Sequence, residues 1–241
     1  MANIVEIFSS IQGEGLYIGT RQVFVRFAGC NMACAYCDTP ESRTFGKEAL
    51  IECTPGRRDF SKIANPLSIE CLAQHINSLL TLRHHSISLT GGEPLCQVDA
   101  LVELTAKLDA PKYLETNGIL FEQLAKILPQ LDIISMDIKL PSIAGKEYWQ
   151  EHHEFLRLAS TKEVFVKIVV TGQSSKNELQ QAFELVASIN KSIPVILQPV
   201  TPLNGCESVL PADILLYQEQ ALSVLSSVRV IPQTHKFMGQ L

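Results

Sequence analysis

The amino-acid sequence predicts an α/β protein: a single domain, spanning residues 1–241, folded as a partial parallel β/α barrel. Two observations lead to this prediction. Short β-rich runs alternate with helical patterns from Val5 onward, and six or more such β-then-α units follow one another without a break in composition. A chain of 241 residues, 46% of them hydrophobic, is also long enough for one large core. In such a barrel the chemistry lies at the carboxyl ends of the strands.

Most of the β-rich runs end in a polar or glycine-rich turn. The predicted strands are Val5–Phe8, Gln22–Phe27, Ser86–Leu89, Tyr113–Glu115, Ile133–Ile138, Val164–Val170, Val195–Leu197 and Val228–Ile231. Helical spacing of apolar residues separates several of them, for example in 69–80 and 101–108. Ser175 and Glu178 form a predicted capping box that opens a further helix.

The stretch Glu41–Pro66 interrupts this rhythm. It holds Pro55-Gly56, three arginines and two phenylalanines, and it shows no clear hydrophobic period. We therefore predict an inserted loop or lid within the domain.

Composition and charge exclude several classes of protein. No apolar run approaches the roughly 20 residues that span a bilayer, and the first residues lack the pattern of a signal peptide, so we expect a cytoplasmic protein without a membrane partner. In that compartment the seven cysteines are expected to be metal ligands or buried thiols rather than disulfides. A net charge of -5 argues against an extended nucleic-acid interface.

Polar side chains stand at the ends of several predicted strands. The period of two places Ser135, Asp137 and Lys139 on one face of their strand, which points into the barrel. Glu115–Gly118 and Gln198-Pro199 end two other strands. Their positions match the barrel rule for functional residues.

Three cysteines form the strongest motif. Cys30, Cys34 and Cys37 lie within eight residues, directly after the apolar strand that ends at Phe27. Closely spaced thiolates favour zinc, copper(I) or an iron-sulfur cluster. A structural zinc site normally takes four protein ligands, and the possible fourth ligands are His75, Cys53 and Cys71. On a four-iron cluster, three cysteines leave one iron open to an exogenous ligand.

The C-x3-C-x2-C spacing resembles the signature of the radical S-adenosylmethionine (SAM) superfamily, in which SAM chelates the open iron. The segment Thr90-Gly91-Gly92-Glu93-Pro94 is similar to the superfamily segment that binds the SAM amino group, where two glycines let the backbone approach a ligand and Glu93 supports the loop or the ammonium. The resemblance implies a barrel of the radical SAM type. It also implies a 4Fe-4S cluster on Cys30, Cys34 and Cys37, and SAM bound near Tyr36, Asp38, Gly92, Glu93, Ser135, Asp137 and Gln198.

Further segments narrow the resemblance to 7-carboxy-7-deazaguanine synthases of the queuosine and 7-deazapurine pathway. They are 7–15, 24–27, 36–39 and 233–236, together with 90–94 and 135–139; Glu41–Pro66 is not covered. The resemblance implies ring contraction of 6-carboxy-5,6,7,8-tetrahydropterin to 7-carboxy-7-deazaguanine, with loss of ammonia. It further implies an external one-electron reductant such as flavodoxin or ferredoxin, and a homodimer.

The residue types suit a carboxylated pterin. Gln12 and Glu14, on a glycine-flanked loop with Gly13, can bind the amide-like edge of the ring. Arg26 can hold the substrate carboxylate, although it could instead pair with a protein carboxylate. The resemblance adds Thr90, His235 and the terminal carboxylate of Leu241 at the substrate, and Thr39 as a ligand of Mg²⁺.

Two other functions fit parts of the pattern. A glycyl-radical-enzyme activase shares the cysteine loop and the 90–94 segment, but it must admit a protein loop. A zinc-stabilised or electron-transfer binding module would need the cysteines alone. His84-His85 and His152-His153 lack the spacing of a helical zinc pair and are predicted to lie on the surface.

Overall fold

The computed structural model describes residues 1–202 and 205–240, which form one ten-stranded sheet flanked by helices. The strands are β1 (Ile4–Ile11), β2 (Arg21–Phe27), β3 (Glu48–Glu52), β4 (Phe60–Ala64), β5 (Ser86–Gly91), β6 (Lys112–Thr116), β7 (Ile133–Asp137), β8 (Glu163–Val170), β9 (Val195–Pro199) and β10 (Val228–Val230). Each of the eight predicted strands is present, with ends that differ by up to three residues.

The sheet has the order β10-β9-β8-β7-β6-β5-β2-β1-β3-β4. Strands β2 and β5 to β10 run parallel, whereas β1 is antiparallel to β2. The two outermost strands, β10 and β4, are not paired with each other, so the barrel is open. This architecture confirms the predicted partial parallel barrel.

Helices connect the parallel strands. They are α1 (Ile69–Leu79), α2 (Val98–Thr105), α3 (Phe121–Ile127), α4 (Pro141–Ala144), α5 (Trp149–Ala159), α6 (Lys176–Ile189), α7 (Pro211–Leu222) and α8 (Thr234–Met238). The predicted capping box opens α6: the Ser175 hydroxyl accepts a hydrogen bond from the Glu178 amide, and the Glu178 carboxylate accepts one from the Ser175 amide. In the part of the chain that is described, no helix has the length and apolar character needed to cross a membrane.

Alternation along β2 separates the two faces of the sheet. Val23, Val25 and Phe27 are buried in the main core with the helices. Phe24 and Arg26 point to the opposite face, where Phe24 stacks on Phe8 with ring centroids 5.2 Å apart. The helix-covered face therefore supplies the core, and the opposite face carries polar chemistry.

The stretch Glu41–Pro66, predicted as an inserted loop or lid, contains two strands that the sequence did not predict. Strands β3 and β4 form a hairpin that extends the sheet beyond β1. In β4 no residue is buried, and β3 buries only Ala49, Ile51 and Glu52. Burial this limited near a sheet edge produces no readable hydrophobic period, which explains why the two strands were not predicted.

Candidate active site

One cavity of about 530 Å³ opens on the polar face of the sheet, at the carboxyl ends of the parallel strands. It gathers most of the residues that the sequence predicts for the site. Those that line it are Gln12, Gly13, Glu14, Arg26, Cys30, Cys34, Tyr36, Cys37, Asp38, Thr39, Thr90, Gly92, Ser135, Asp137, Gln198 and His235. Leu241 lies outside the described residues, and Glu93 lies beneath the cavity wall.

The cysteine loop follows β2 and has little regular secondary structure. Cys30, Cys34 and Cys37 are partly exposed free thiols that share the cavity. The loop is held by its backbone: the Cys37 amide donates to the Cys34 carbonyl at 3.2 Å, and the Arg43 guanidinium donates to the same carbonyl. None of the three thiols forms a disulfide, so all three can bind a metal centre.

The geometry fits a cluster better than one zinc ion. Among residues 1–202 and 205–240, the one group of three possible metal ligands whose atoms all lie within 4.8 Å of one another is Glu14, Asp38 and His235. The sulfurs of Cys30, Cys34 and Cys37 are therefore not all this close together. Zinc with bonds of about 2.3 Å needs its sulfurs closer than that. In addition, the fourth ligands considered from the sequence, His75, Cys53 and Cys71, do not line the cavity.

Two glycines allow the 90–94 segment to contact the cysteine loop. A Cβ atom on Gly92 would lie 2.2 Å from the Gly29 carbonyl oxygen, so only glycine fits there. The Glu93 amide donates to the same oxygen at 2.8 Å, and the Gly29 amide donates to the Ser42 carbonyl at 2.7 Å. The cysteine loop and the 90–94 segment are therefore joined through Gly29 by backbone hydrogen bonds.

Glu93 supports this junction from below. Its side chain is fully buried, and its carboxylate accepts hydrogen bonds from the Leu95 and Asn117 amides and the Thr116 hydroxyl. Burial raises the pKa of Glu93 to about 7 despite these bonds. Of the two roles considered from the sequence, the structure favours support of the loop over contact with a ligand.

A second group of polar residues lies on β7 and β9. Asp137 pairs with Lys139 at 2.6 Å, and Lys139 also donates to the Tyr36 hydroxyl at 3.1 Å. Burial disfavours the Lys139 ammonium, yet the charge of Asp137 keeps its pKa well above the usual value. Two buried oxygens on the cavity, Asp137 Oδ1 and Gln198 Oε1, have no hydrogen-bond partner among the described residues. Such acceptors fit a ligand with hydroxyl or amino hydrogens.

The other end of the cavity is centred on Glu14. Its carboxylate pairs with Lys167 at 2.6 Å and accepts a hydrogen bond from Gln233 at 2.7 Å. Burial alone would raise the pKa of Glu14, but the charge and hydrogen bonds of Lys167 and Gln233 outweigh it and lower the pKa to about 2. Glu14 is therefore ionised at neutral pH. Gln233 also donates to Asp38 at 3.0 Å.

Glu115 organises the floor between the two ends. One carboxylate oxygen accepts hydrogen bonds from the side-chain amide of Gln12 at 2.8 Å and from the Ser88 hydroxyl at 3.2 Å. The other oxygen accepts one from the Thr90 hydroxyl at 2.9 Å. The orientation of the Gln12 and Thr90 side chains is thus fixed.

Arg26 lies at the rim of the cavity. Its contacts bear on both predicted roles, namely pairing with a protein carboxylate and holding the substrate carboxylate. Its Nε donates to Glu6 at 2.7 Å, and its guanidinium lies over the Phe8 ring, while the side chain still lines the cavity. Since the Glu6 contact uses Nε, the two terminal amino groups are the atoms that could meet a ligand.

Sequence reasoning missed Lys167 and misplaced His152. Lys167 interrupts the apolar strand β8, and a lysine inside such a run is the signal that could have identified it. His152 is fully buried rather than on the surface. Its ring bonds the Gly118 carbonyl at 3.0 Å and the Lys139 amide at 3.1 Å, so it ties together the loops that follow β6 and β7.

The chain resembles several known proteins. The family model described as "4Fe-4S single cluster domain" matches residues 11–194. The 7-carboxy-7-deazaguanine synthase of Geobacter sulfurreducens is 46% identical, and the alignment covers 100% of this chain and 98% of that protein. The crystal structure of QueE from Escherichia coli has a TM-score of 0.63 at 23% identity, covering 97% of this chain and 94% of that one. A radical SAM methyltransferase from Sphaerobacter thermophilus has a TM-score of 0.59 at 9% identity, with 95% and 77% covered.

Proposed function

The chain belongs to the 7-carboxy-7-deazaguanine synthase family, and we propose that it converts 6-carboxy-5,6,7,8-tetrahydropterin to 7-carboxy-7-deazaguanine with loss of ammonia. The observation that carries this proposal is that one cavity holds both the three-cysteine loop and the charged group around Glu14. A radical generated from SAM at a cluster on the three cysteines would then lie next to a bound pterin. Because the chain belongs to this family, the two alternative functions, a glycyl-radical-enzyme activase and a zinc-stabilised or electron-transfer binding module, are set aside.

Cys30, Cys34 and Cys37 would hold three irons of a 4Fe-4S cluster and leave the fourth iron for SAM. When bound, the reduced cluster and SAM would supply the 5'-deoxyadenosyl radical that abstracts a hydrogen atom from C6 of the pterin. The protein's own part is to position both molecules. The three thiols share one cavity, and none of the fourth ligands considered for zinc lines it, which supports a cluster here.

For SAM, we assign the orienting contacts to the strand ends. Asp137 Oδ1 and Gln198 Oε1 are buried acceptors without partners among the described residues, which suits ribose or amino hydrogens. Ser135 and Gly92 line the same region, and Tyr36 and Asp38 flank Cys37. These assignments extend the superfamily resemblance to this chain's own atoms.

For the pterin, we assign recognition to the opposite end. The ionised Glu14 carboxylate accepts hydrogen bonds from the N-H groups of the ring, while Gln12, Gly13 and Thr90 complete the edge contact. His235 lies against Gly13, where an added Cβ would come within 2.4 Å of its side chain. Leu241 is assigned to the substrate by resemblance alone.

We further propose that Mg²⁺ binds at Thr39. The Thr39 side chain lies on the cavity at the start of the short helix Pro40–Arg43 and makes no capping hydrogen bond there. Its hydroxyl is thus available as a hard oxygen ligand, with substrate oxygens and water completing the shell.

Two further assignments come from the family resemblance: the enzyme would receive its electron from flavodoxin or ferredoxin, and it would form a homodimer. The cytoplasmic location expected from the sequence is part of the same proposal.

Arg26 provides the test of the substrate assignment. We expect its terminal amino groups to bind the substrate carboxylate, a charge-assisted contact worth about 1.5 to 3 kcal/mol, or roughly tenfold to more than a hundredfold in kcat/KM. Lysine replaces the planar fork poorly. The assay is anaerobic incubation with SAM, dithionite, Mg²⁺ and the carboxypterin, followed by mass spectrometry for the loss of ammonia.

Arg26→Lys should keep the cluster absorbance, the melting temperature and SAM binding but lose affinity for the carboxypterin. Arg26→Gln should do the same except that its melting temperature falls, because Glu6 is left without its cation. Arg229→Gln, at an exposed position on β10, is the matched control and should behave like the wild type. Normal turnover by either Arg26 variant would remove Arg26 from the substrate site. Failure of the wild type to release ammonia would overturn the proposed reaction.

A further inference from the structure

The segment 233–240, here called the C-terminal tail, closes one side of the cavity. Gln233, His235, Lys236 and Gln240 line it. The Thr234 amide donates to the Gly13 carbonyl at 2.9 Å, and Lys236 lies 3.5 Å from the Asp38 carboxylate. The tail thus forms the wall beside Glu14.

Apolar packing does not hold the tail in place. No residue of α8 is buried, and Phe237 is 84% exposed. A segment that is attached by polar contacts alone opens more easily than the core. Any contact that fixes its far end therefore affects how well the cavity wall is formed.

Such a contact comes from the β3–β4 hairpin. The Arg58 guanidinium donates to the Gly239 carbonyl at 2.5 Å, across 181 residues of sequence. Next to it, the Ser10 hydroxyl donates to the Gln240 side chain at 3.3 Å. The far end of the tail is therefore attached at two points, to the hairpin turn and to β1.

The hairpin turn is built to present Arg58. Arg58 has a φ angle of 58°, in the left-handed region that disfavours residues other than glycine. Glu52, which is 2% exposed, accepts hydrogen bonds from the Arg58, Gly56 and Ser9 amides at 2.8, 3.0 and 2.8 Å. Backbone strain persists where the surroundings enforce it and often marks a functional position.

We propose that Arg58 is a positioning residue, which holds the C-terminal tail closed against the substrate end of the cavity. This inference rests on the proposed function, because the tail matters only if the pterin binds beside Glu14. It gives a role to the hairpin in 41–66, a stretch that none of the family's sequence motifs includes.

Arg58→Gly tests the proposal with little risk to the fold, since glycine adopts the observed φ angle without strain. Arg57→Ala, at the neighbouring exposed position, removes the same charge and is the matched control. The first readout uses the reconstituted enzyme under anaerobic conditions. Limited trypsin digestion is followed by mass spectrometry for cleavage between Lys236 and Phe237.

The second readout is kinetic. Loss of one exposed, charge-assisted contact should raise both the Lys236 cleavage rate and the KM for the carboxypterin about threefold to fivefold in Arg58→Gly. SAM cleavage without the pterin should stay at the wild-type rate in Arg58→Gly. Arg58→Lys keeps the charge and should therefore show smaller increases in the Lys236 cleavage rate and in KM than Arg58→Gly. Arg57→Ala should match the wild type in every measurement.

An unchanged rate of tail cleavage in Arg58→Gly would overturn the proposal that Arg58 holds the C-terminal tail closed. Faster cleavage with an unchanged KM would overturn its role at the substrate site. If the wild-type enzyme fails to convert the carboxypterin, the proposed function fails, whereas the digestion still decides whether Arg58 holds the tail.

Discussion

Replacement of His152 by glutamine should remove a large part of the acid sensitivity of the fold. His152 is fully buried between α5 and the loops after β6 and β7. Burial lowers its pKa from 6.5 to about 4, although its hydrogen bond to Gly118 and the charge of Asp137 act in the opposite direction. The ring nitrogen that accepts from the Lys139 amide must stay unprotonated, so the neutral form is the native one.

The sign and size of the effect follow from the two pKa values. The unfolded chain takes up a proton on His152 below its ordinary pKa of 6.5, whereas the folded chain does so only near 4. The stabilisation is complete above pH 6.5 and is lost as the pH falls toward 4, with a maximum loss of about 3 kcal/mol. Between about pH 7.5 and about pH 5 the wild type should lose about 2 kcal/mol through this residue.

Urea unfolding under anaerobic conditions measures this loss. Trp149 is the single tryptophan, lies on α5 near His152 and reports unfolding by fluorescence. We expect the free energy of unfolding of His152→Gln to fall less between the two pH values than that of the wild type, by about 2 kcal/mol. His153→Gln, at the next and more exposed position, is the control and should follow the wild type.

Glu93 does not confuse the comparison. Because the pKa of Glu93 is raised, this residue stabilises the fold more at low pH than at high pH. Its contribution to the free energy of unfolding is lost as the pH rises from 4.5 through about 7. This contribution is the same in all three proteins and cancels in their differences. If the curves for His152→Gln and the wild type run parallel, His152 is not buried as a neutral ring and the reasoning is refuted.

Three further predictions address the site. Cys34→Ala should lose the 4Fe-4S absorbance and all SAM cleavage after reconstitution, whereas Cys71→Ala should keep both; an intact cluster in Cys34→Ala would contradict the assignment. Thr39→Ala should weaken the stimulation by Mg²⁺ in a metal titration while SAM cleavage without the pterin persists, and an unchanged titration would exclude Thr39. Lys167→Met should cost about 3 kcal/mol in urea unfolding, because it leaves a buried carboxylate without its cation. It should also raise the pKa of Glu14 and so make the KM for the carboxypterin increase toward acid pH, and a flat pH profile would speak against an ionised Glu14.

The sequence was sufficient for the parallel part of the fold. Strands β2 and β5 to β10 place apolar residues at alternate positions on the face that the helices cover, and several of them end in polar motifs. The hairpin β3–β4 was missed because an exposed edge requires little apolar pattern.

For the site, residues in local motifs were predictable and those fixed by distant contacts were not. The cysteine spacing and the 90–94 glycines are local. By contrast, nothing in the sequence pairs Glu14 with Lys167, 153 residues away, or turns the Glu93 carboxylate away from the cavity. His152 was misplaced because its burial depends on two backbone groups that a hydrophobic pattern does not reveal.

The span of sequence around the cavity also has a consequence for biosynthesis. The cysteine loop and the C-terminal tail line the same cavity, yet Cys37 precedes Gln233 by about 200 positions in the chain. At roughly 5 to 20 residues per second, a ribosome takes about 10 to 40 s to reach the tail after it has made the cysteines. During that interval the cavity lacks Gln233, His235 and the other lining residues of the tail, so the site is completed only after they have been made.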